Sequence, residues 1–318
     1  MGEGEFAIGI DVGGTNIKAI AIDGSGRELR RDGQPTPAVD RERLIGAVRE
    51  LVNRLGGTNA RWIGLCSPGL AARDGRSIVW MQGRMEAVQG LDWTKALQTE
   101  RALQTERALG TERAPGTERA VWVLNDAHAA TVGEAWLGAA RDRRHVVLLT
   151  LGTGVGGGVV VDGRLLQGTI GRAGHIGHMS LDPWGPPDIC NTPGSLENAV
   201  SDSTVERRTN GRFTSTAALV AAVEAGDTHA GSVWARAIRS LAAGVASLIN
   251  LFDPEVVVLG GGIALAGDTL FAPLRREMND VEWRPLREAV PIVAAELDDY
   301  AGAIGAARHA MLMDGDSR

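Results

Sequence analysis

The chain has little cysteine: two residues, Cys66 and Cys190, in 318. Two thiols are too few for a disulfide framework, and the compartment they imply is a reducing cytoplasm. It also has little net charge, −6 at pH 7, with 23% of residues charged. That leaves no basic footprint for a phosphate backbone, so nucleic acid is not an expected partner. Apolar runs fall short of the roughly 20 residues a bilayer-spanning helix needs, and no basic stretch followed by an apolar core opens the chain. No membrane partner or targeting segment is expected. Two familiar phosphate-binding signatures are missing as well. No glycine-rich turn ends in GK[ST], and none opens a helix in the manner of the dinucleotide fingerprint. A first strand is expected from about residue 6, leaving no room ahead of it for a helix-turn-helix.

What the chain does have is glycine, 43 residues spread among apolar strands. Two glycine-rich turns share a design: GIDVGGTNIK at 9–18 and TLGTGVGGGVV at 150–160. Each follows an apolar run and leads into another, which predicts two β-hairpins. Glycine lets a backbone approach a phosphate with its N–H groups pointed inward, so the paired turns suggest two jaws closing on one polyphosphate such as ATP. Asp11 ends the first strand beside its turn, where a carboxylate can hold the water shell of Mg²⁺. Thr15 and Lys18 offer a hydroxyl and a cation.

The length suits two domains with a cleft between them. After the first hairpin, ERLIGAVRELVNRL (42–55) has helical apolar spacing and RWIGLCSPGL (61–70) reads as a strand, giving the order strand, strand, helix, strand. This is an α/β layout with a mixed sheet. AVWVLN predicts a strand ending at Asn125-Asp126 and entering a small-residue helix. SVWARAIRSLAAGVASLINLF (232–252) predicts a strong helix, EVVVLGGGIA (255–264) and PIVAAEL (291–297) further strands, and AGAIGAARHAM (301–311) a closing helix able to pack closely through its small residues. Residues 96–119 are four copies of a six-residue unit, ALQTER, ALQTER, ALGTER and APGTER. A period of six maintains no single helical face, so the repeat reads as a duplication lengthening a surface helix and loop, ended by Pro115-Gly116, and carrying no chemistry.

Asp126 is the candidate catalytic residue. It falls at the carboxyl end of a strand, where open α/β sheets place ligands. A carboxylate there can accept the proton of an attacking hydroxyl during phosphoryl transfer; it can equally cap the helix that follows.

Taken in order, GIDVGGTNIK, NDAHAA with Glu134 following, TLGTGVGGGVV, the GH…C…GSLE stretch and LGGGIA resemble the ROK family of bacterial sugar kinases and repressors, from about residue 6 to about residue 308. The resemblance implies an actin-like ATPase fold of two ribonuclease-H-like α/β domains: residues 1–124 with 301–318, carrying the repeat, and 125–300. It implies an ATP-dependent, Mg²⁺-assisted sugar kinase, glucokinase-like and homodimeric by family habit, with Asp126 as the base for a sugar hydroxyl, typically that on C6. Asn125 would hydrogen-bond the sugar. Gly13, Gly14 and Thr15, and Gly152, Thr153 and Gly154, would face the phosphates, with Gly261 and Gly262 by the adenosine. A sugar sensor that no longer catalyses is the alternative, and a repressor of the same family is disfavoured by the missing DNA-binding segment.

The family pattern GExGH then CxCGxxGCxE carries a structural Zn²⁺ on the His and three Cys, and sugar contacts on the two Glu and the His. Here it reads Gly174-His175-Ile176-Gly177-His178 and Asp188-Ile189-Cys190-Asn191-Thr192-Pro193-Gly194-Ser195-Leu196-Glu197. His178 and Cys190 survive, with Asp188 as a third possible ligand and Ser195 a poor fourth, so zinc is not expected. Pro183, Pro186, Pro187 and Pro193 would stiffen the loop instead. His178 is then open to sugar contact or to a structural role. His175 brings a donor and an acceptor where a carboxylate only accepts, so the sugar should be read differently there; Glu197 keeps its place. Gln82 and Arg84 can reach a ligand or face solvent.

Overall fold

The computed structural model describes residues 5–37, 40–83, 85–97 and 120–315. It divides into two units: Met1–Gly138 with Gln167–Arg172 and Asp299–Arg318, and Ala139–Leu166 with Ala173–Asp298. Arg84 and repeat residues 98–119 lie outside the described residues.

The first unit is built on a five-stranded sheet. Strands β1 (Phe6–Val12), β2 (Asn16–Asp23) and β3 (Glu28–Pro35) form an antiparallel meander, and β4 (Trp62–Ser67) adds parallel to β1. Two short strands, β5 (Leu70–Ala71) and β6 (Ile78–Trp80), pair apart from this sheet, and β7 (Val121–Asn125) completes it beside β4, in the order β3-β2-β1-β4-β7. β3 is a finding beyond the expected order. Its sequence ELRRDGQP has no apolar alternation because it is an exposed edge strand, where charged side chains deter further pairing.

Helix α1 (Arg41–Arg54) covers one face of that sheet. Asp40 caps it by accepting from the N–H groups of Glu42 and Arg43, and Leu44, Val48 and Leu51 point into the core with Ile8, Ile10 and Leu65. Past the short helix α2 (Trp93–Leu97), helix α3 (Asp126–Leu137) follows β7 directly. The other face of the sheet is closed by a helix from the far end of the chain, described below with its neighbours.

The second unit repeats the plan. β8 (Val146–Leu151), β9 (Val155–Val161) and β10 (Arg164–Leu165) are an antiparallel meander, and β11 (Val256–Gly260) and β12 (Ile292–Ala294) add in parallel, in the order β10-β9-β8-β11-β12. Between β10 and β11 come the short helices α4 (Leu196–Val200) and α5 (Val205–Arg208), then α6 (Thr216–Glu224) and the long α7 (Thr228–Phe252). α8 (Asp268–Val281) lies between β11 and β12. Leu241, Val245 and Leu248 of α7 pack with Val147, Leu149, Val257 and Leu259 in one core. Among the described residues α7 is the one helix long and apolar enough to cross a membrane, and half of that stretch is buried inside the protein.

The closing helix α9 (Ala301–Gly315) belongs to the first unit. A β-carbon at Gly9 or Gly64 would collide with the backbone carbonyls of Ala303 and Ala306, and one at Gly305 with the carbonyl of Ala129 in α3. Bare backbone on both sides lets α9 lie directly on the sheet and on α3. This packing corrects the expected boundary at 124/125: α3 stays with the first unit, and the division falls after Gly138. The segment 167–172 joins it too, with Gly171 close against Ala71.

Candidate active site

Both glycine turns are hairpins, as the motif spacing predicts. In the first, Asp11 and Lys18 are register partners across β1 and β2, and Asp11 is also level with Cys66 on β4. Alternation along β1 turns Asp11 to the same side as Gly9, toward α9. There a β-carbon at Gly302 would sit 2.8 Å from Asp11 Oδ2 and 3.1 Å from Cys66 Sγ, so glycine at 302 makes room for both groups. Burial, then the charge of Asp126, push the Asp11 pKa up to about 7, against the opposing pull of the Cys66 thiol and of Lys18. The charge of Asp126 is thus felt at Asp11.

Lys18 is not an isolated cation. Its Nζ is 2.8 Å from Asp299 Oδ2, which ties β2 to the turn that starts α9. In the turn itself, Gly13 N–H donates to Asn16 O at 3.1 Å, Thr36 N–H to Thr15 O at 2.9 Å and Thr36 Oγ1 to Gly13 O at 2.7 Å. These bonds occupy the carbonyls and leave the N–H groups of Gly14 and Thr15 unused among the described residues.

Asp126 is the first residue of α3, and the cap is Asn125. Asn125 Oδ1 accepts from Ala127 N–H at 2.9 Å and His128 N–H at 3.1 Å; its Nδ2 donates to Gly69 O at 3.0 Å and to Asp126 Oδ1 at 2.9 Å. A carboxamide has two donors and two acceptor sites, and all four are used inside the protein. The Asn125 expected at the sugar is therefore committed to holding Asp126 and the helix start. Asp126 Oδ1 also accepts from Ala127 N–H at 2.9 Å. Burial raises the Asp126 pKa against these hydrogen bonds, which makes the carboxylate a stronger base than a solvated one.

In the second unit the turn Gly152-Thr153-Gly154 is closed by Gly152 N–H donating to Gly154 O at 3.0 Å. Glu197, on α4, accepts from Val155 N–H at Oε2 across 2.8 Å, and no hydrogen bond among the described residues uses its Oε1. Ser195 caps α4 by accepting from Asn198 N–H. Asp202 and Ser203, just past α4, donate their N–H groups to Gly152 O at 2.9 Å and Thr153 O at 3.1 Å. Gly261 follows β11 with φ +85, its α-carbon so close to Leu151 that any side chain would strike that backbone, whereas Gly262 faces open space.

His178, Asp188 and Cys190 come together, with ligand atoms within 4.8 Å of one another. Asp188 is the centre. Its Oδ2 accepts from His178 Nδ1 at 2.8 Å, and its Oδ1 accepts from the N–H groups of Cys190 at 2.8 Å and Thr192 at 2.9 Å. Burial tends to raise its pKa, but His178, Thr192, Ser195 and Cys190 as donors outweigh this and hold it below the ordinary carboxylate value. His178 Nε2 faces Cys190 Sγ at 3.5 Å. Both ring nitrogens of His178 therefore turn inward to this cluster, favouring its structural role over sugar contact. The set does not fit a structural Zn²⁺: the carboxylate is saturated by donors, and one imidazole nitrogen and one thiol remain for an ion that wants four ligands. His175 starts the short turn Ile176–His178 and is half-buried, and Gln82 is exposed. Asp188 as a hub, Asp299 on Lys18, and the amides of 202–203 behind the turn were not readable from motif spacing.

The two mixed sheets of matching strand order, with helices on their faces, define a two-domain, actin-like α/β fold. The ROK family profile matches residues 7–312. The glucokinase of Thermotoga maritima is 32% identical over 319 residues, covering 94% of this chain and 95% of that protein. Among solved structures, a ROK hexokinase from Thermus thermophilus is 35% identical, with a TM-score of 0.80 and coverage of 98% and 99%. A ROK glucokinase from Streptomyces griseus in complex with glucose and AMPPNP is 26% identical, with a TM-score of 0.75 and coverage of 96% and 99%. The chain belongs to the ROK family.

Proposed function

We propose that this glucokinase-like carbohydrate kinase transfers the γ-phosphoryl group of ATP to a hydroxyl of a hexose or hexose-like sugar, that on C6, with Asp126 as general base. The observation that carries this reading is the mounting of Asp126. It begins α3 at the end of β7, is oriented by Asn125, and has its basicity raised by burial. A base held this way is positioned to take the proton of a sugar hydroxyl as the phosphorus–oxygen bond forms.

Thr153 and Gly154 supply successive N–H donors for phosphate oxygens in their turn, and Gly14 and Thr15 do so in theirs, each by itself the arrangement expected of an anion-binding nest. Gly262, with open space before it, suits a neighbouring adenosine. Glu197 Oε1 and His175 are assigned to sugar hydroxyls. Asp11 fits Mg²⁺ through its water shell: its carboxylate is driven toward protonation by burial and then by the charge of Asp126, and a divalent cation would relieve that repulsion. When bound, the ion would neutralise charge on the phosphates.

The test is sugar-dependent ADP release over a panel of hexoses and N-acetylhexosamines, with Asp126→Asn alongside. Turnover with at least one sugar, lost in the variant while sugar still binds, is the expected result. Full turnover by Asp126→Asn would overturn the assignment of the base.

A further inference from the structure

The turn Gly152-Thr153-Gly154 is held from behind. Three hydrogen bonds tie one short stretch of chain to it: Val155 N–H, next to the turn, donates to Glu197 Oε2, Asp202 N–H donates to Gly152 O, and Ser203 N–H donates to Thr153 O. With both carbonyls pulled to that side, the N–H groups of Thr153 and Gly154 are left for a ligand. The turn's geometry is therefore only as well defined as residues 197–203.

That stretch is anchored by Arg208. Its Nη2 donates to Val200 O at 3.2 Å and Ser201 O at 2.9 Å, and its Nε donates to Thr204 Oγ1 at 3.0 Å. Thr204 Oγ1 in turn donates to Ser201 O at 3.0 Å. The guanidinium thus gathers the carbonyls at the end of α4 and the hydroxyl of the next turn, on either side of the two amides that grip Gly152 and Thr153. A planar fork suits this; a lysine ammonium reaches fewer acceptors with less directional control.

We propose that Arg208 is a positioning residue for phosphoryl-donor binding: through residues 200–204 it holds the 152–154 turn with its N–H groups set for phosphate oxygens. The inference rests on the proposed function in taking this turn as the donor site, and it assigns a role to a residue that touches neither substrate.

The test measures AMPPNP binding by calorimetry and steady-state kinetics for wild type, Arg208→Lys and Arg208→Gln. Loss of one or two hydrogen bonds to the brace predicts AMPPNP binding and the KM for ATP weakened about 3- to 10-fold in Arg208→Gln, with partial recovery in Arg208→Lys and a sugar KM within about twofold of wild type. If both variants instead lose stability and kcat but keep wild-type AMPPNP affinity and ATP KM, the residue is merely structural and the proposal fails. Should Arg208→Gln not fold, Thr204→Val removes the Nε acceptor at nearly constant volume, and unchanged AMPPNP affinity there overturns the proposal. Because AMPPNP affinity needs no turnover, a wild type that binds it without phosphorylating any sugar defeats the kinase reading and leaves this one standing. A wild type that binds neither AMPPNP nor tripolyphosphate defeats both.

Discussion

Asn125 Nδ2 donates to Asp126 Oδ1 across 2.9 Å while the oxygen of the same amide caps the helix that Asp126 begins. One side chain therefore fixes both the helix start and the orientation of the adjacent carboxylate. The two duties separate by substitution. Asn125→Asp keeps an acceptor for the helix N–H groups but sets a second negative charge against Asp126, whereas Asn125→Ala removes both. Asn125→Ala should cost about 1 kcal/mol of stability through the lost cap; Asn125→Asp keeps the cap but sets a buried carboxylate against Asp126 and gives up the bond to Gly69 O, and should cost at least as much. Both should lower kcat, measured beside urea denaturation midpoints. An Asn125→Asp enzyme with wild-type kcat would refute the orienting role.

Asp11 gives a pH signature. Its folded-state pKa, about 7, lies above the ordinary value of 3.8, so the folded protein holds this proton more tightly than the unfolded chain does. The stability it contributes is complete below about 3.8 and is lost as pH rises to and through about 7. Asp126→Asn removes the repulsion but not the burial, so the Asp11 carboxyl, followed by carbon-13 NMR without divalent cations, should titrate lower in the variant than in wild type and still above 3.8. Identical pH profiles would show that the two carboxylates do not interact.

The Asp188 cluster predicts stability without metal. Asp188→Ala removes the acceptor shared by His178 and the N–H groups of Cys190 and Thr192; the Asp188 carboxylate is buried but its donors are half-buried or, at Cys190, exposed and can turn to water, so the loss should be about 1–2 kcal/mol. Thermal unfolding of the wild type should be unmoved by EDTA. A drop in melting temperature with chelator, restored by zinc, would contradict the reading of this site as hydrogen-bonded.

Two glycines separate packing from function. At Gly64 a β-carbon would meet the Ala306 carbonyl, backbone against backbone, so Gly64→Ala should cost more than about 3 kcal/mol or abolish folding. At Gly14 nothing lies within 4 Å. Gly14→Ala should therefore melt like wild type yet bind AMPPNP more weakly, because the added methyl crowds a phosphate at the turn. Equal AMPPNP affinity would remove Gly14 from the donor site.

Much of this was legible because local chemistry and fold agree. The glycine hairpins, β7 running into Asp126 and the small-residue face of α9 each carry a local pattern that the tertiary structure uses unchanged. β3 was not legible, since an edge strand exposed on most of its length needs no apolar alternation. Asn125 was assigned to sugar because motif reasoning weighs a residue's chemistry without counting its hydrogen bonds, and here the four are already spent. The Asp188 hub escaped for the related reason that a carboxylate in a former ligand position looks like a ligand until its donors are located. The domain boundary moved because α3 follows β7 without a break yet packs on a helix some 170 residues further along the chain.

The bare backbone at Gly9, Gly64 and Gly305 has a bearing on biosynthesis. Every strand of the first sheet is synthesised before the second unit begins, but α9, which closes that sheet, follows the second unit along the chain. The N-terminal unit must wait through synthesis of the whole second unit with one side of its sheet uncovered, and it is the second unit, complete by residue 298, that can finish folding first. A nascent chain that lacks α9 therefore leaves the backbone at Gly9 and Gly64 without its cover.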